Sequence, residues 1–524
     1  MAKSNKINVY LVKNDVKSED IFDKKYLTRQ VDGGVLHYNK KDVHAPEWVH
    51  NFFNNNDALQ GLFKAASSQA VFIKSIKIGK KLHTFAITFG TGYHMLNRYN
   101  IVPNFGLKIV LNIIDVKNIR KVDTHNISSV PKHKSEQIAR PGDMDEFSVN
   151  IDTDILTSIT GKIEKSSPLH EFFGSSITGK DTLSANAKFD AETVDAFLEK
   201  SYKCYNSDEY KKKGFGWIDN IAKILPNDLL LLELNKQLDA DLANLKNNRD
   251  KIWIAVPEII KWEDIEGFRY NNKKQIYDDL DIDDLPIDKY TVENLKKIVI
   301  RTIKPDGSLY GKPWDAFQCL YAEIDFKGNK YMLINSNWYK IEADFVSYID
   351  KKITTLFNRK VPAISWPKYD PAKSENTYNL DLTANIKGSV CMDAKNIIYG
   401  GGKSKEEFCD VFDINGGNII HVKKYSGSSV LSHLFNQGYV SAELLLADSK
   451  FKAKVEDKVN LLMKRKDFSF PQNVKFNVVF AILSSKEPKN AKNLPFFSKV
   501  VLNSIAARID TMKGYNVFIK VIPQ

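Results

Sequence analysis

The chain has 524 residues, more than one hydrophobic core usually organises, so roughly two to four domains are expected. Hydrophobic residues make up 43% and charged residues 27%, which excludes general disorder. Lys and Arg number 76 against 64 Asp and Glu, and the resulting charge of +12 suits a polyanionic partner without demanding one.

Cys204, Cys319, Cys391 and Cys409 lie far apart and form no C-x-x-C pair. Zinc-finger spacing is absent, and reduced thiols in a cytoplasm are the expectation. The first residues, MAKSNKINVYLVKND, hold only a four-residue apolar run, too short for a signal-peptide core. The run DLLLLEL (228–234) is far shorter than the ~20 apolar residues a bilayer span needs. The chain therefore reads as neither secreted nor membrane-embedded, with a cytoplasmic location.

In chain order, residues 1–160 predict a mixed α/β domain. KINVYLV (6–12), AVFIKSIKI (70–78), HTFAITF (83–89) and LKIVLNII (107–114) are strand-like runs. PEWVHNFF (46–53) and GYHMLNRY (92–99) have helical spacing, and residues 120–150 read as a polar surface excursion. Residues 161–360 form a helical and β-hairpin region. Helices are expected over 191–205 and 229–245, and a strand over 251–256. The acidic run 276–288 is a solvated loop or helix start rather than a metal site. LYAEIDF (320–326) and KYMLINSNWYKI (330–341) flank the turn residues KGN and predict a hairpin, followed by an amphipathic helix over 343–357. The three prolines of VPAISWPKYDPAK (361–373) mark a linker.

Residues 371–524 form the last domain. A helix is expected over 374–386, a strand or a bent strand pair over 389–399, strands over 406–414 and 418–425, and a turn at NGGN (415–418). A long helical region over 430–464, broken near Gly438, precedes a strand (475–483), a helix (496–512) and a last strand (516–522). The order is α-β-β-β-α-β plus one α-β unit. It resembles the restriction-endonuclease-like core of the PD-(D/E)XK nuclease superfamily, in which carboxylates and a lysine converge on Mg²⁺. The metal polarises the phosphate and activates water. The fold class expected is thus mixed α/β and multi-domain, with a C-terminal restriction-endonuclease-like core.

Carried over residue by residue, the resemblance implies Glu375 as the helix carboxylate, Asp410 as the second-strand ligand and Lys423 as the third-strand lysine. Strand alternation puts His421 and Lys423 on one face, with Ile420 and Val422 on the other. Gln437 falls where some relatives place a glutamine near the scissile strand. The pattern departs at His421, where the family has Asp or Glu. Glu407 offers a replacement charge, although on an ideal strand it and Asp410 point to opposite faces. The metal set is then Glu375, Glu407 and Asp410, holding Mg²⁺ or Mn²⁺ through oxygen ligands, and the catalytic set is Glu375, Asp410, His421 and Lys423. Each residue also has a plainer reading, as an exposed helix carboxylate, an edge-strand aspartate or a solvated strand end.

HVKKYSGSSVLSHLFNQGYVSAELL (421–445), SKEEFCDVF, HTFAITFGTGYHML, NFGLKIVLNI and KSEQIAR together resemble a sporadically distributed bacterial family of unknown function, whose members tend to lie near mobile elements and defence genes. That resemblance implies a defence role without naming a reaction. Ser428 and Ser429 enter a helix and present either phosphate contacts or an ordinary N-cap. Lys424 and the helix cations Lys450, Lys452 and Lys454 are candidate phosphate contacts, with a solvated helix face as the alternative. GSSITGKDT (174–182) approaches a P-loop, but Asp181 stands where Ser or Thr should bind Mg²⁺. GGGKS (400–404) lacks the first glycine. The histidines His83, His94, His421 and His433 show no zinc-ligand spacing with cysteine. The reading that follows is a Mg²⁺-dependent nuclease acting on DNA, more than RNA, in defence. The alternatives are a non-catalytic nucleic-acid-binding protein with a degenerate nuclease fold, and an assembly protein whose target is another protein.

Overall fold

The chain alternates strands and helices into a mixed α/β structure with several sheets. A computed structural model describes residues 5–14, 16–39, 68–127, 132–224, 229–258, 260, 264–399, 404–425, 427–471, 475–484 and 493–524. The helix expected over 46–53 lies outside these residues.

Alternating apolar residues build the first sheet. Its strands are β1 (Asn5–Leu11), β2 (Leu27–Val31), β3 (Gly34–Asn39), β4 (Gln69–Ile78), β5 (Lys81–Gly90), β6 (Ile119–Asn126), β7 (His133–Gly142), β8 (Asp154–Lys162), β9 (Ser176–Gly179) and β10 (Leu183–Ala187). They pair in the order β2-β3-β4-β5-β1-β10-β9-β8-β6-β7, antiparallel throughout. Residue 160 falls inside β8, and β9 and β10 continue the same sheet beyond it.

Three expectations fail here. LKIVLNII is not a strand but part of helix α1 (Phe105–Ile113), which buries Phe105, Leu107, Ile109, Val110 and Leu111. A short run that is apolar almost all round carries no periodicity to separate a buried helix from a strand, and tertiary burial decides. The polar stretch 120–150 is not a loop either: it supplies β6 and β7. Strand β7 is an edge, and an edge strand tolerates polar residues because its outer side faces no partner. GYHMLNRY forms two short 3₁₀ turns at 92–95 and 98–100 rather than one helix. Helix α2 (Val194–Tyr205) completes this unit, its Val194, Phe197 and Leu198 joining the core of α1 and the sheet.

The middle region begins with β11 (Ile221–Lys223), α3 (Leu229–Ala243) and β12 (Ile252–Ile254), and continues with β13 (Gly267–Tyr270), β14 (Val299–Ile303), β15 (Leu309–Asp315), β16 (Leu320–Phe326), β17 (Asn329–Ile334) and β18 (Asn337–Ile341). One sheet runs β11-β18-β17-β16-β12 and a smaller one β13-β14-β15. The expected hairpin forms with Phe326 opposite Asn329, and its two turn residues, Lys327 and Gly328, take positive φ. That backbone twist matches two antiparallel strands. A second positive-φ pair at Asn335 and Ser336 cuts the 330–341 run into β17 and β18.

Helix α4 (Ala343–Phe357) follows, and the proline-rich stretch holds no helix or strand before α5 (Glu375–Asn385). The remaining elements are β19 (Ser389–Cys391), β20 (Asn396–Tyr399), β21 (Ser404–Glu407), β22 (Val411–Asp413), β23 (Asn418–Lys424), α6 (Ser428–Ala447), α7 (Ser449–Leu462), β24 (Phe476–Ser484), α8 (Phe496–Thr511) and β25 (Tyr515–Pro523). The sheet order is β19-β22-β23-β24-β25, antiparallel up to β23 and parallel from β23 to β25. β20 and β21 form a separate hairpin. The run 406–414, expected as one strand, is interrupted at 408–410. The long helix runs unbroken through Gly438 and stops instead at Asp448, whose carboxylate accepts from the N–H groups of Lys450 and Phe451 and so caps α7. Gly438 is small for packing: a Cβ there would come within 2.4 Å of the Phe480 ring.

Alternation along β23 and β24 divides the two faces. Ile419, Val478, Phe480 and Ile482 pack with α6 and α8, while Ile420, Val422, Val479 and Ala481 pack with Tyr378 and Leu382 of α5. Strand β16 ties the three regions together. Tyr321 stacks on His125 of β6, and the Glu323 carboxylate accepts from the first N–H groups of α8, Phe496 at 2.7 Å and Phe497 at 2.9 Å. No helix among the described residues is long and apolar enough to cross a membrane.

Candidate functional site

Strand β22 is only three residues long, and its brevity creates the site. Asp410 lies just before it, with its N–H bonded to the Ile420 carbonyl at 3.1 Å. The next N–H on β23, that of Val422, meets the Asp410 carboxylate at 2.7 Å. The Asp410 carbonyl accepts from both Met392 and Asp393, which draws the end of β19 across and sets the Asp393 carboxylate beside that of Asp410. Glu407 reaches the same place from the end of β21, and its carboxylate accepts from the Ala394 N–H. Because 408–410 is not strand, the alternation that would have parted Glu407 from Asp410 does not apply.

Asp393, Glu407 and Asp410 each offer a carboxylate oxygen, all within 4.8 Å of one another. Among the described residues this is the one group of three or more such side chains able to hold a metal ion. Helix α5 supplies the surroundings. Ser374 caps it by accepting from the Thr377 N–H at 3.1 Å, and this fixes the first turn. Asn376 and Asn379 then donate to Asp393 at 2.8 and 3.0 Å, and Asn379 also reaches Asp410 at 3.5 Å.

Electrostatics follow from this crowding. Burial pushes the Asp410 carboxyl up to about 8, with the charges of Glu407, Asp393 and Glu375 adding to the rise and the Val422 N–H opposing it. Glu407 is raised as well, by burial first and then by Asp393 and Glu375. Three carboxylates held this close repel one another, and a divalent cation is the charge that relieves them. Oxygen-only donors suit a hard cation such as Mg²⁺ or Mn²⁺. The buried Oδ1 of Asn379 has no hydrogen-bond partner, so one acceptor beside the cluster is left unsatisfied.

The other sequence candidates are distributed as follows. Lys423 lies at the emerging end of β23 and pairs with Glu375 at 2.8 Å, while the other Glu375 oxygen accepts from the Lys424 N–H at 2.9 Å. Burial alone would lower the Lys423 ammonium, but Glu375 and the carboxylates beyond it raise it, so the charge is held. Glu375 is therefore the partner of Lys423 and stands outside the three-carboxylate group, unlike the expected metal set.

His421 is corrected more sharply. Its face of β23 is core, not cleft: the side chain is 2% exposed and its ring lies 6.2 Å from that of Phe480. Burial depresses it to about 3, so the imidazole is neutral and packs within the core, outside the three-carboxylate group. Ser428 is buried and shares a 2.8 Å hydrogen bond with Ser498 of α8, which removes it as a phosphate contact. Gly427, not a serine, occupies the N-cap of α6. The Ser429 side chain lies outside the described residues. Gln437 is partly exposed on α6. Lys424 donates to the Pro371 carbonyl at 3.1 Å, and Lys454 to the Ile398 carbonyl at 2.6 Å, which pins the β20–β21 hairpin to α7. Lys450 is exposed, and Lys452 lies over the Phe470 ring.

Sequence reasoning missed Asp393, Asn376 and Asn379. Helical spacing offered a signal for the last, since Glu375 and Asn379 are four apart and share a face. Nothing in local pattern marks Asp393, which sits in a turn after a strand. No curated protein and no solved structure matches the chain. A family model described as a family of unknown function (DUF6119) matches residues 7–523, and the chain belongs to that family.

Proposed function

We propose that the C-terminal region is a restriction-endonuclease-like, divalent-metal-dependent nuclease acting on DNA, in defence against foreign elements. The observation that carries the reading is the convergence of Asp393, Glu407 and Asp410 within 4.8 Å at the end of β22, next to a charged lysine on the adjoining strand. The order helix, three antiparallel strands, helices, parallel strand supports it too. A bound Mg²⁺ or Mn²⁺ supplies a Lewis acid for the phosphate and a lowered water pKa. In this reading the three carboxylates hold the ion, and Asn376 and Asn379 fix the orientation of Asp393 and Asp410. Lys423 keeps its ammonium charged beside the place where phosphate charge develops. Asp393 and Glu407 take the part that His421 leaves vacant in the sequence pattern. Lys450 and Lys452 on α7 supply cations for the backbone of a bound strand.

The test is incubation of the full chain with supercoiled plasmid in Mg²⁺ or Mn²⁺, beside Asp410→Ala, Lys423→Ala and an EDTA control. Cleavage by the wild type alone, abolished by EDTA, is the expected result. Undiminished cleavage in both variants removes the assignment. A second reading, a DNA-binding protein without cleavage, is favoured by the engagement of Lys423 with Glu375. It predicts salt-sensitive duplex binding and no product in any divalent metal.

A further inference from the structure

Helix α5 meets the three carboxylates with an amide rather than an acid. Its first carboxylate, Glu375, is engaged by Lys423 and the Lys424 N–H. One turn further on, Asn379 is 0% exposed and lies against two members of the cluster. Its Nδ2 donates to Asp393 at 3.0 Å and to Asp410 at 3.5 Å. Both N–H bonds of the amide are thereby used, and the planar group carries Oδ1 on its other limb. That oxygen is buried and accepts nothing among the described residues, a costly state for a polar atom in the core.

A divalent cation reverses which limb belongs against the carboxylates. Without an ion they need donors, and Nδ2 supplies them. With an ion among the same oxygens, an N–H group turned toward it is repelled and a carbonyl oxygen is attracted. Asp393, Glu407 and Asp410 offer one oxygen each within 4.8 Å of one another, whereas a hard cation takes about six or more oxygens. On the α5 side the place of a further ligand is taken by the buried Asn379. A fourth carboxylate there would add to the repulsion among the three, and an amide oxygen brings no charge. Half a turn about the bond to the amide carbon exchanges Oδ1 for Nδ2 without moving the helix, because that torsion in asparagine is broad and roughly two-fold. Asp393 keeps its 2.8 Å bond from the exposed Asn376 through the exchange.

We propose that Asn379 is a ligand of the ion: its amide turns when the cation enters, and Oδ1 joins Asp393, Glu407 and Asp410 at the metal. This role rests on the metal-dependent reading of the site. It puts the helix-borne ligand one turn beyond Glu375, where the superfamily pattern has it.

The test is Mn²⁺ binding by the full chain without nucleic acid. Calorimetry compares the wild type with Asn379→Leu and Asn379→Asp, and the anomalous signal of a wild-type crystal soaked in Mn²⁺ locates the ion. An Asn379 side-chain atom should lie at about 2.1 Å from it. Asn379→Leu, of similar size, should weaken binding at least about tenfold, while Asn379→Asp, which keeps an oxygen on that limb, should bind at least as tightly as the wild type. An amide that acts only as a donor predicts the opposite sign, since its loss leaves the carboxylates less satisfied without the ion. Unchanged or tighter binding by Asn379→Leu therefore overturns the proposal. So does Asn379→Asp binding as weakly as Asn379→Leu, or an ion more than about 3 Å from every Asn379 side-chain atom. Melting curves without metal establish which variants are folded, and the wild-type crystal decides by itself if Asn379→Leu is not. Each of these failures leaves the carboxylate metal centre and the nuclease reading standing. Only a wild type that binds no Mn²⁺ at millimolar concentration removes both, and cleavage is not read at any point.

Discussion

The first and last sheets of this chain bury apolar strands by different means, and their polar groups gather in different places as a result. The first sheet is antiparallel throughout, and a cavity of about 490 Å³ lies where it abuts the middle sheet. The last sheet is mixed. Its β24 pairs in parallel on both sides, and Val478 to Leu483 are all buried and apolar, which leaves no polar position within that stretch. Its charge gathers instead where pairing stops, at the start of the three-residue β22. Complete ladders carry packing residues, and interrupted ones free an N–H group that a carboxylate can satisfy.

Replacing the cluster's least foreseeable member tests this contrast most strongly. Asp393→Asn should lower metal-dependent cleavage by at least about 10- to 100-fold. It should also remove the rise in melting temperature on adding Mg²⁺ or Mn²⁺. A cation-induced shift equal to that of the wild type sinks the ligand assignment.

Each end also has a glycine at a close approach, and the two should respond unequally. A Cβ at Gly106 would lie 2.0 Å from the Thr182 carbonyl oxygen, a backbone atom that can move only with the β9–β10 turn. At Gly438 the obstacle is the Phe480 ring, which has some freedom. Gly106→Ala should therefore destabilise by about 3 kcal/mol or more, and Gly438→Ala by about 1–3 kcal/mol, in denaturant unfolding. The reverse ranking would mean that the first sheet is the more compliant unit.

Strand β16 allows the two junctions to be separated by pH. Burial raises Glu323 to about 7, although the Phe496 and Phe497 N–H groups oppose the rise. The folded state thus prefers its proton. The stability this contributes is complete below the ordinary carboxyl range near 4.5 and is lost as pH climbs through 7. His125 is depressed to about 3 by burial and then by His133, so its contribution is complete above 6.5 and is lost as pH falls toward 3. Glu323→Gln should flatten the decline in melting temperature between about pH 5 and 8, an effect of roughly 1–3 kcal/mol. His125→Phe should flatten the decline on the acid side. If neither slope changes, the junctions do not titrate as described.

The smallest effect is expected at Lys454. Its bond to the Ile398 carbonyl is exposed, so Lys454→Ala should cost only about 0.5–1 kcal/mol in a melt. Because the bond holds the hairpin that ends in Glu407, cation affinity should fall by more than the stability does. A loss of stability without any change in cation affinity would break that link.

Much of the fold was legible in the sequence, for physical reasons that differ by element. Strands β4, β5 and β16 and helices α4 and α8 announce themselves because a half-buried element imposes its own period on its sequence. Lys327-Gly328 announces a turn because positive φ selects residues. The segment 107–114 was illegible as a helix because burial on nearly every side erases the period. At the site, Asp410 and Lys423 were visible through strand order and spacing. His421 misled, because alternation says which residues share a face but not whether that face is cleft or core.

By itself the sequence determined the mixed α/β class and much of the order of the C-terminal elements, and it singled out Asp410 and Lys423 as candidates. These are local or near-local properties, written in period, turn chemistry and spacing. Only the tertiary structure decided that Asp393 joins Glu407 and Asp410, that Glu375 is spent on Lys423, and that Lys13, Lys223 and Lys340 line one cavity. Those groupings depend on where ladders end and which sheets meet, and the contacts that fix such points join residues far apart in the chain.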